Sequence, residues 1–222
     1  MYTAALFDLD GTLIDTEPRS YEAWSRLFRN HGVPCDEATL KGFAGRPGRE
    51  ALRDQLDRFP GHTVDELFAE AIAYTALPDM PPVRAVPGAL ELLARLRAQG
   101  VPLGLVTSGT RDYARHELGV FGALDFFDVL ITADDVTRGK PDPQGCLRCC
   151  TALGVDASAV VVFEDAPAGV AAAKRAGADC VAITSTQPAA ALAAADLIVP
   201  DLTGMTWPPP TPAVAATART EV

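Results

Sequence analysis

Hydrophobic and polar positions fall into two textures along the chain. Residues 3–9 (TAALFDL) form a short apolar run that leads into the turn residues DGT, which predicts a buried strand followed by a turn. From about Arg19 to Leu77, the stretches RSYEAWSRLFRNHG, REALRDQLDRF and VDELFAEAIAY carry apolar residues at helical spacing, separated by Gly or Pro. That spacing predicts a block of amphipathic helices without strands. A proline-rich joint follows over residues 78–88. Beyond it, apolar runs of strand length (PLGLVTS, DVLIT, AVVVF, CVAIT and ADLIVP) alternate with helical segments. These segments run from PGALELLARLRAQG to an alanine-rich helix before the last strand.

Strands alternating with helices imply a parallel sheet covered on both faces. The first strand is separated from the others by the helical block. The expected fold is therefore α/β, a doubly wound parallel-sheet core of residues 1–14 and 86–203 with an inserted α-helical cap domain over 15–85. The last residues, 204–222 (GMTWPPPTPAVAATARTEV), are expected to be a disordered tail.

Charge narrows the partners. The 222 residues include 19 Lys and Arg against 29 Asp and Glu, a formal net charge of −10. A surface that tracks a nucleic-acid backbone needs clustered cations, so no nucleic acid is expected. No apolar run reaches the roughly 20 residues of a membrane span, and the N-terminal stretch lacks the basic start of a signal peptide. Neither a membrane partner nor export is expected. The five cysteines are an odd number and point to reduced thiols in a cytoplasmic protein. Three of them form CLRCC (Cys146, Cys149 and Cys150), whose helical context suits packed thiols rather than a zinc site.

In an open parallel sheet, ligands bind at the carboxyl ends of the strands. The first predicted strand delivers Asp8 and Asp10 to that edge, and PLGLV delivers Thr107 and Ser108. Lys140 follows DVLIT, and AVVVF delivers Glu164 and Asp165. Four carboxylates so close together cannot all stay ionised without a cation between them, and hard oxygen donors suit Mg²⁺. Taken singly, each residue also fits a plain structural role as an Asx turn, a helix cap or a solvated loop cation. Their joint occurrence in order points to a metal and phosphate site.

The segments DLDGT, an apolar residue followed by Thr-Ser, GKPDP and EDAPAG, in this order, resemble the haloacid dehalogenase superfamily of phosphohydrolases. The helical block after the first motif looks like the C1 cap of its β-phosphoglucomutase-like subgroup. The resemblance spans about Ala4 to Val199 and implies a Rossmann-like core. LVTSGTRD, ITADDVTRGKPDP and VVVFEDAPAGVAAAKRAG are similar to members that dephosphorylate hexitol, sugar or glycerol phosphates. The family implies Asp8 as the nucleophile and Asp10 as the acid–base residue. It implies Mg²⁺ held by Asp8, the Asp10 carbonyl and Asp165, with Glu164 as a direct or neighbouring partner. Thr107, the Ser108 amide and Lys140 would bind the transferring phosphoryl group.

The resemblance thus implies a phosphatase that acts on a small phosphorylated metabolite through an aspartyl phosphate. Asp10 is the second acid that dehalogenases lack. Ser20 stands where β-phosphoglucomutases carry a His, and no Lys occurs from Gly42 to Gly139, which favours a hydrolase over a mutase. Phosphoglycolate phosphatase is an alternative of the same chemistry. A phospho-receiver domain or a silent binding protein is the rival from another class. Gly45, Arg46 and Arg49 in AGRPGRE are the candidate substrate contacts of the cap. A monomer is expected. Lys140, at a strand end beside a solvent-facing cleft, is expected to contribute little to folding.

Overall fold

The computed structural model describes residues 2–44 and 48–211 and divides into two compact units, residues 1–15 with 85–222 and residues 16–84. In the larger unit, six strands form one parallel sheet: β1 (Ala4–Phe7), β4 (Leu103–Val106), β5 (Val129–Ile131), β6 (Val160–Glu164), β7 (Asp179–Ile183) and β8 (Leu197–Val199). Their order is β5-β4-β1-β6-β7-β8, and every neighbouring pair is parallel. The two-residue elements β2 (Ile14–Asp15) and β3 (Arg84–Ala85) lie where the chain leaves and rejoins this unit. There the Val86 amide donates to the Leu13 carbonyl at 2.9 Å.

β1, β4 and β6 are buried along their whole length, as expected of strands covered on both faces. Because successive side chains point to opposite faces, Ala4, Leu6, Val160, Val162, Cys180 and Ala182 share one side. They pack against Cys146, Cys149 and Cys150 of α7 (Gln144–Leu153) and Val170 and Ala173 of α8 (Pro167–Ala176). All five cysteines are free, and the CLRCC thiols are core residues, packed as small hydrophobes. The remaining helices of this unit are α5 (Ala89–Ala98) and α6 (Arg111–Val120).

From β1 the chain builds β4 and β5 on one side, then returns to place β6 on the other side of β1. The carboxyl ends of β1 and β6 therefore flank the point where the strand order reverses, the place where open α/β sheets bind ligands. Phe7 and Phe163 are register partners, and their rings stack with centroids 4.6 Å apart. The Asp8 amide, next along, donates to the Phe163 carbonyl at 3.0 Å. That register sets Asp8 beside Glu164.

The smaller unit is helical: α1 (Glu17–Asn30), α2 (Glu37–Lys41), α3 (Gly48–Arg53) and α4 (Val64–Thr75). Its core joins Trp24, Leu27, Phe28, Phe43, Phe59 and Leu67. Thr63 and Glu66 close a reciprocal capping box at the start of α4.

Two expectations need correction. The alanine-rich stretch predicted as a helix is only a 3₁₀ turn, Ala189–Leu192. Leu192 is buried, and the Asp196 amide already donates to the Cys180 carbonyl, so β8 must begin before a longer helix can form. The segment Gly204–Thr211, expected within a disordered tail, is packed. Met205 and Thr211 are buried, the Met205 carbonyl accepts from Arg95, and the Thr211 hydroxyl meets the Tyr2 phenol. The rest of that tail lies outside the described residues. Among the described residues, no helix is long and apolar enough to cross a membrane.

Candidate active site

Asp8 is the first residue after β1, and its carboxyl is almost wholly buried. Lys140 Nζ lies 2.5 Å from Asp8 Oδ1 and 2.5 Å from Glu164 Oε1. The second Glu164 oxygen accepts from the Asp165 amide at 2.9 Å and the Ala166 amide at 3.0 Å. Glu164 thus satisfies orphan donors where α8 begins and anchors Lys140 at the same time. The other two lysines are engaged elsewhere, Lys41 with Glu37 and Lys174 with Asp196.

Asp165 Oδ1 accepts from Thr12 at 3.3 Å, and Oδ2 accepts from Thr186. Gly11, between Asp10 and Thr12, has φ +80°, and a Cβ there would overlap Asp165 Oδ2 and the Thr186 methyl. The DGT turn therefore needs glycine both for its left-handed backbone and for the close approach of Asp165. Asp8, Glu164 and Asp165 offer oxygens that all lie within 4.8 Å of one another. Three carboxylates against one ammonium, in a buried setting, disfavour full ionisation. Burial, with Glu164 and Asp10 as neighbours, pushes the Asp8 carboxyl up to about 7 despite Lys140. Burial pushes Asp165 well above the usual carboxylate range, and the Glu164 and Asp8 charges add to this. The charges of Asp8 and Glu164 hold Lys140 protonated against the desolvation that opposes it.

Thr107 is buried at the end of β4, where its amide donates to the Ile131 carbonyl and its hydroxyl accepts from the Gly109 amide at 3.0 Å. Ser108 is exposed. Both line a cavity of about 140 Å³ with Thr132, Arg138, Lys140 and Cys146. Burial pushes the Cys146 thiol up to about 12, so it stays protonated at neutral pH.

Asp10 accepts a hydrogen bond from the Tyr113 phenol, Oη to Oδ1, at 2.5 Å. Burial, followed by the Asp10 charge, raises the Tyr113 phenol far above its ordinary range. Sequence reasoning passed over Tyr113, Thr12 and Thr186. Tyr113 lies in the first turn of α6, the helix that follows β4 and so opens at the same sheet edge. The strand-end rule, carried one strand further to β7, reaches Thr186.

Seven of the predicted site residues, Asp8, Asp10, Thr107, Ser108, Lys140, Glu164 and Asp165, belong to the α/β unit. Gly45 and Arg46 lie outside the described residues. Arg49 is engaged within the helical unit, with its Nε 2.9 Å from Asp65 Oδ1 and its guanidinium 4.0 Å from the centroid of Phe68.

The family model for haloacid dehalogenase-like hydrolases matches residues 5–183. The chain is 59% identical to validoxylamine A 7′-phosphate phosphatase of Streptomyces hygroscopicus subsp. limoneus, covering 94% of this chain and 98% of that one. It is 34% identical to hexitol phosphatase A of Escherichia coli, covering 90% and 92%. Its fold is similar to the crystal structure of β-phosphoglucomutase from Clostridium difficile, with a TM-score of 0.76, 24% identity and coverage of 94% and 95%. With the strand order, the acidic cluster and this match over most of its length, the chain belongs to the haloacid dehalogenase-like hydrolase family, among its phosphatases.

Proposed function

We propose that the protein is a Mg²⁺-dependent phosphomonoesterase that hydrolyses a small phosphorylated sugar-type metabolite through an aspartyl phosphate on Asp8. The observation that carries this reading is the juxtaposition of the buried Asp8, Glu164 and Asp165 carboxylates with Lys140. An all-oxygen donor set with excess negative charge fits a hard divalent cation. Asp8, Asp165 and the Asp10 carbonyl would hold it, and Glu164, which bonds Lys140 through one oxygen and two backbone amides through the other, would steady Lys140. When bound, the ion screens the nucleophile from the phosphate dianion and offsets charge on the phosphoryl oxygens.

The residues then divide the work. Asp8 attacks phosphorus in line, and the bond from phosphorus to the leaving oxygen breaks while Asp10 gives that oxygen a proton. The alcohol departs and Asp10 is left as a carboxylate. Asp10 next takes a proton from water as the water oxygen attacks phosphorus. The bond from phosphorus to the Asp8 oxygen breaks, which frees inorganic phosphate and restores both aspartates. Thr107, the Ser108 amide and Lys140 bind the phosphoryl oxygens, and Lys140 supplies a fixed charge beside the buried carboxylates.

The 59% relative is named for validoxylamine A 7′-phosphate and the 34% relative for hexitol phosphates. Validoxylamine A 7′-phosphate is therefore the first substrate to try. The test is phosphate release from that ester, from hexitol, glycerol and glycolate phosphates, and from p-nitrophenyl phosphate, each with Mg²⁺ and with excess chelator. Release that depends on the metal is expected. Asp8→Asn should trap no covalent phosphate, whereas Asp10→Asn should turn over about 10²–10⁴-fold more slowly. Failure on every ester would overturn the reading, and undiminished release after exhaustive chelation would remove the metal from it. Conversion of β-glucose 1-phosphate to the 6-phosphate without free phosphate would replace the hydrolase with a mutase.

A further inference from the structure

We infer that Tyr113 is a positioning residue that fixes the orientation of the Asp10 carboxyl group for proton transfer to the leaving oxygen. The inference rests on the reading of Asp10 as the acid–base residue. Tyr113 and Asp10 are 103 positions apart, yet the phenol donates to Asp10 Oδ1 at 2.5 Å.

The phenol is held firmly on its own side. Tyr113 sits in the first turn of α6, and its amide donates to the Thr110 hydroxyl that caps this helix. The same helix start is tied down by Asp134, which accepts from the Arg111 amide at 2.8 Å, and by the ion pair of Arg111 with Asp135 at 2.6 Å. The ring lies over Gly109, where a Cβ would come within 2.7 Å of Tyr113 Cδ1. On the other side, Asp10 is fixed by its backbone bridge to Ile14.

A carboxyl group turns easily about its last side-chain torsion, and only some orientations aim a proton at a given oxygen. A donor on Oδ1 selects the orientations that keep this oxygen facing α6 as the acceptor. The phenol remains a good donor to Oδ1 after the proton has gone, because the carboxylate is then the stronger acceptor. In the first half-reaction the proton passes from the Asp10 carboxyl group to the leaving oxygen as that oxygen's bond to phosphorus breaks. Tyr113 neither gains nor loses a proton.

The test compares two esters on the same samples. A p-nitrophenolate leaves without proton assistance, whereas an alkoxide does not. Tyr113→Phe keeps the ring over Gly109 and removes only the donor. It should lower kcat/KM for an alkyl phosphate by about 10-fold more than for p-nitrophenyl phosphate, within the roughly 10²–10⁴-fold that a general acid supplies. The ratio of the two esters is independent of the fraction of protein folded. In an Asp10→Asn background the same substitution should leave that ratio where Asp10→Asn alone puts it. Equal losses on both esters, or none on either, would overturn the role of Tyr113. A wild-type protein inactive on both esters would instead overturn the proposed function.

Discussion

Gly169 and Glu164 share one space: the Glu164 carboxylate fills the volume that a Cβ on Gly169 would need. The glycine lies within α8, where alanine would normally be favoured by about 1 kcal/mol. Here the space is already taken. The carboxylate cannot swing aside cheaply, because two backbone amides and Lys140 hold it and its side chain is 2% exposed.

Gly169→Ala should therefore lower stability despite its better helix propensity, by about 1–3 kcal/mol of overpacking. It should also lower kcat, because Glu164 would be pushed off Lys140. Thermal unfolding and turnover measured on one preparation check this. An alanine variant with a raised Tm and normal turnover would mean that Glu164 can relocate freely.

Lys140 is more deeply set than a strand-end loop cation. Its side chain is 13% exposed and joins two buried carboxylates. The expectation that it matters little to folding is corrected by this geometry, since removing one member of a buried ion cluster leaves charge unpaired. Lys140→Ala should cost about 3–5 kcal/mol of stability in metal-free protein near pH 8. Its kcat should fall roughly 10²–10³-fold, as when a preorganised charge is removed from a transition state. Lys140→Arg should recover only part of both, because a planar fork replaces a compact ammonium. Denaturant unfolding and steady-state kinetics on both variants decide it.

In metal-free protein, the raised carboxyls of Asp8 and Asp165 set a pH dependence with a definite sign. Asp8 has an ordinary value of 3.8 when unfolded and is pushed up to about 7 when folded. Between those values the folded state binds more protons, so stability falls as pH rises through this window. The carboxyls held low by partners, such as Asp128 and Asp135, act below the window, where their stabilisation is lost on acidification. Lys140, held high, contributes stability that is fully present below its ordinary value of 10.5 and is lost progressively as pH rises above it. Unfolding free energy in chelator should decline from about pH 4.5 to 7, and Asp8→Asn should flatten that decline. A slope unchanged in the variant would sink the assignment.

Metal binding should be readable without turnover. Mg²⁺ at 100 times its dissociation constant should raise stability by about 2.7 kcal/mol, and Asp165→Asn should abolish most of that gain. Thr186→Val should weaken it less, because Thr186 only orients an Asp165 oxygen. Melting curves over a Mg²⁺ series check both. An undiminished gain in Asp165→Asn would place the ion elsewhere.

Much of this architecture was legible in residue patterns alone. The alternation after Pro78 produced the strand and helix order, and DLDGT, Thr107-Ser108, GKPDP and EDAP were assigned to strand ends by local rules. Such rules work because backbone periodicity and turn chemistry depend on residues close together in the chain. The alanine-rich stretch failed for the opposite reason: helix propensity was overridden by a buried Leu192 and the short span left before β8. The packed segment Gly204–Thr211 failed likewise, its proline-rich composition outweighed by contacts to Tyr2 and Arg95.

Local pattern thus decided which elements form and which chemical groups stand at the edge of the sheet. Packing decided how those groups meet. The Phe7–Phe163 register set Asp8 against Glu164, the space left by Gly169 let Glu164 hold Lys140, and the placement of α6 brought Tyr113 to Asp10. Glu164 and Gly169 belong to one short motif, but the other partners are separated by tens of residues to more than a hundred. The distance between such partners depends on how whole strands and helices pack, and no window of the chain encodes that.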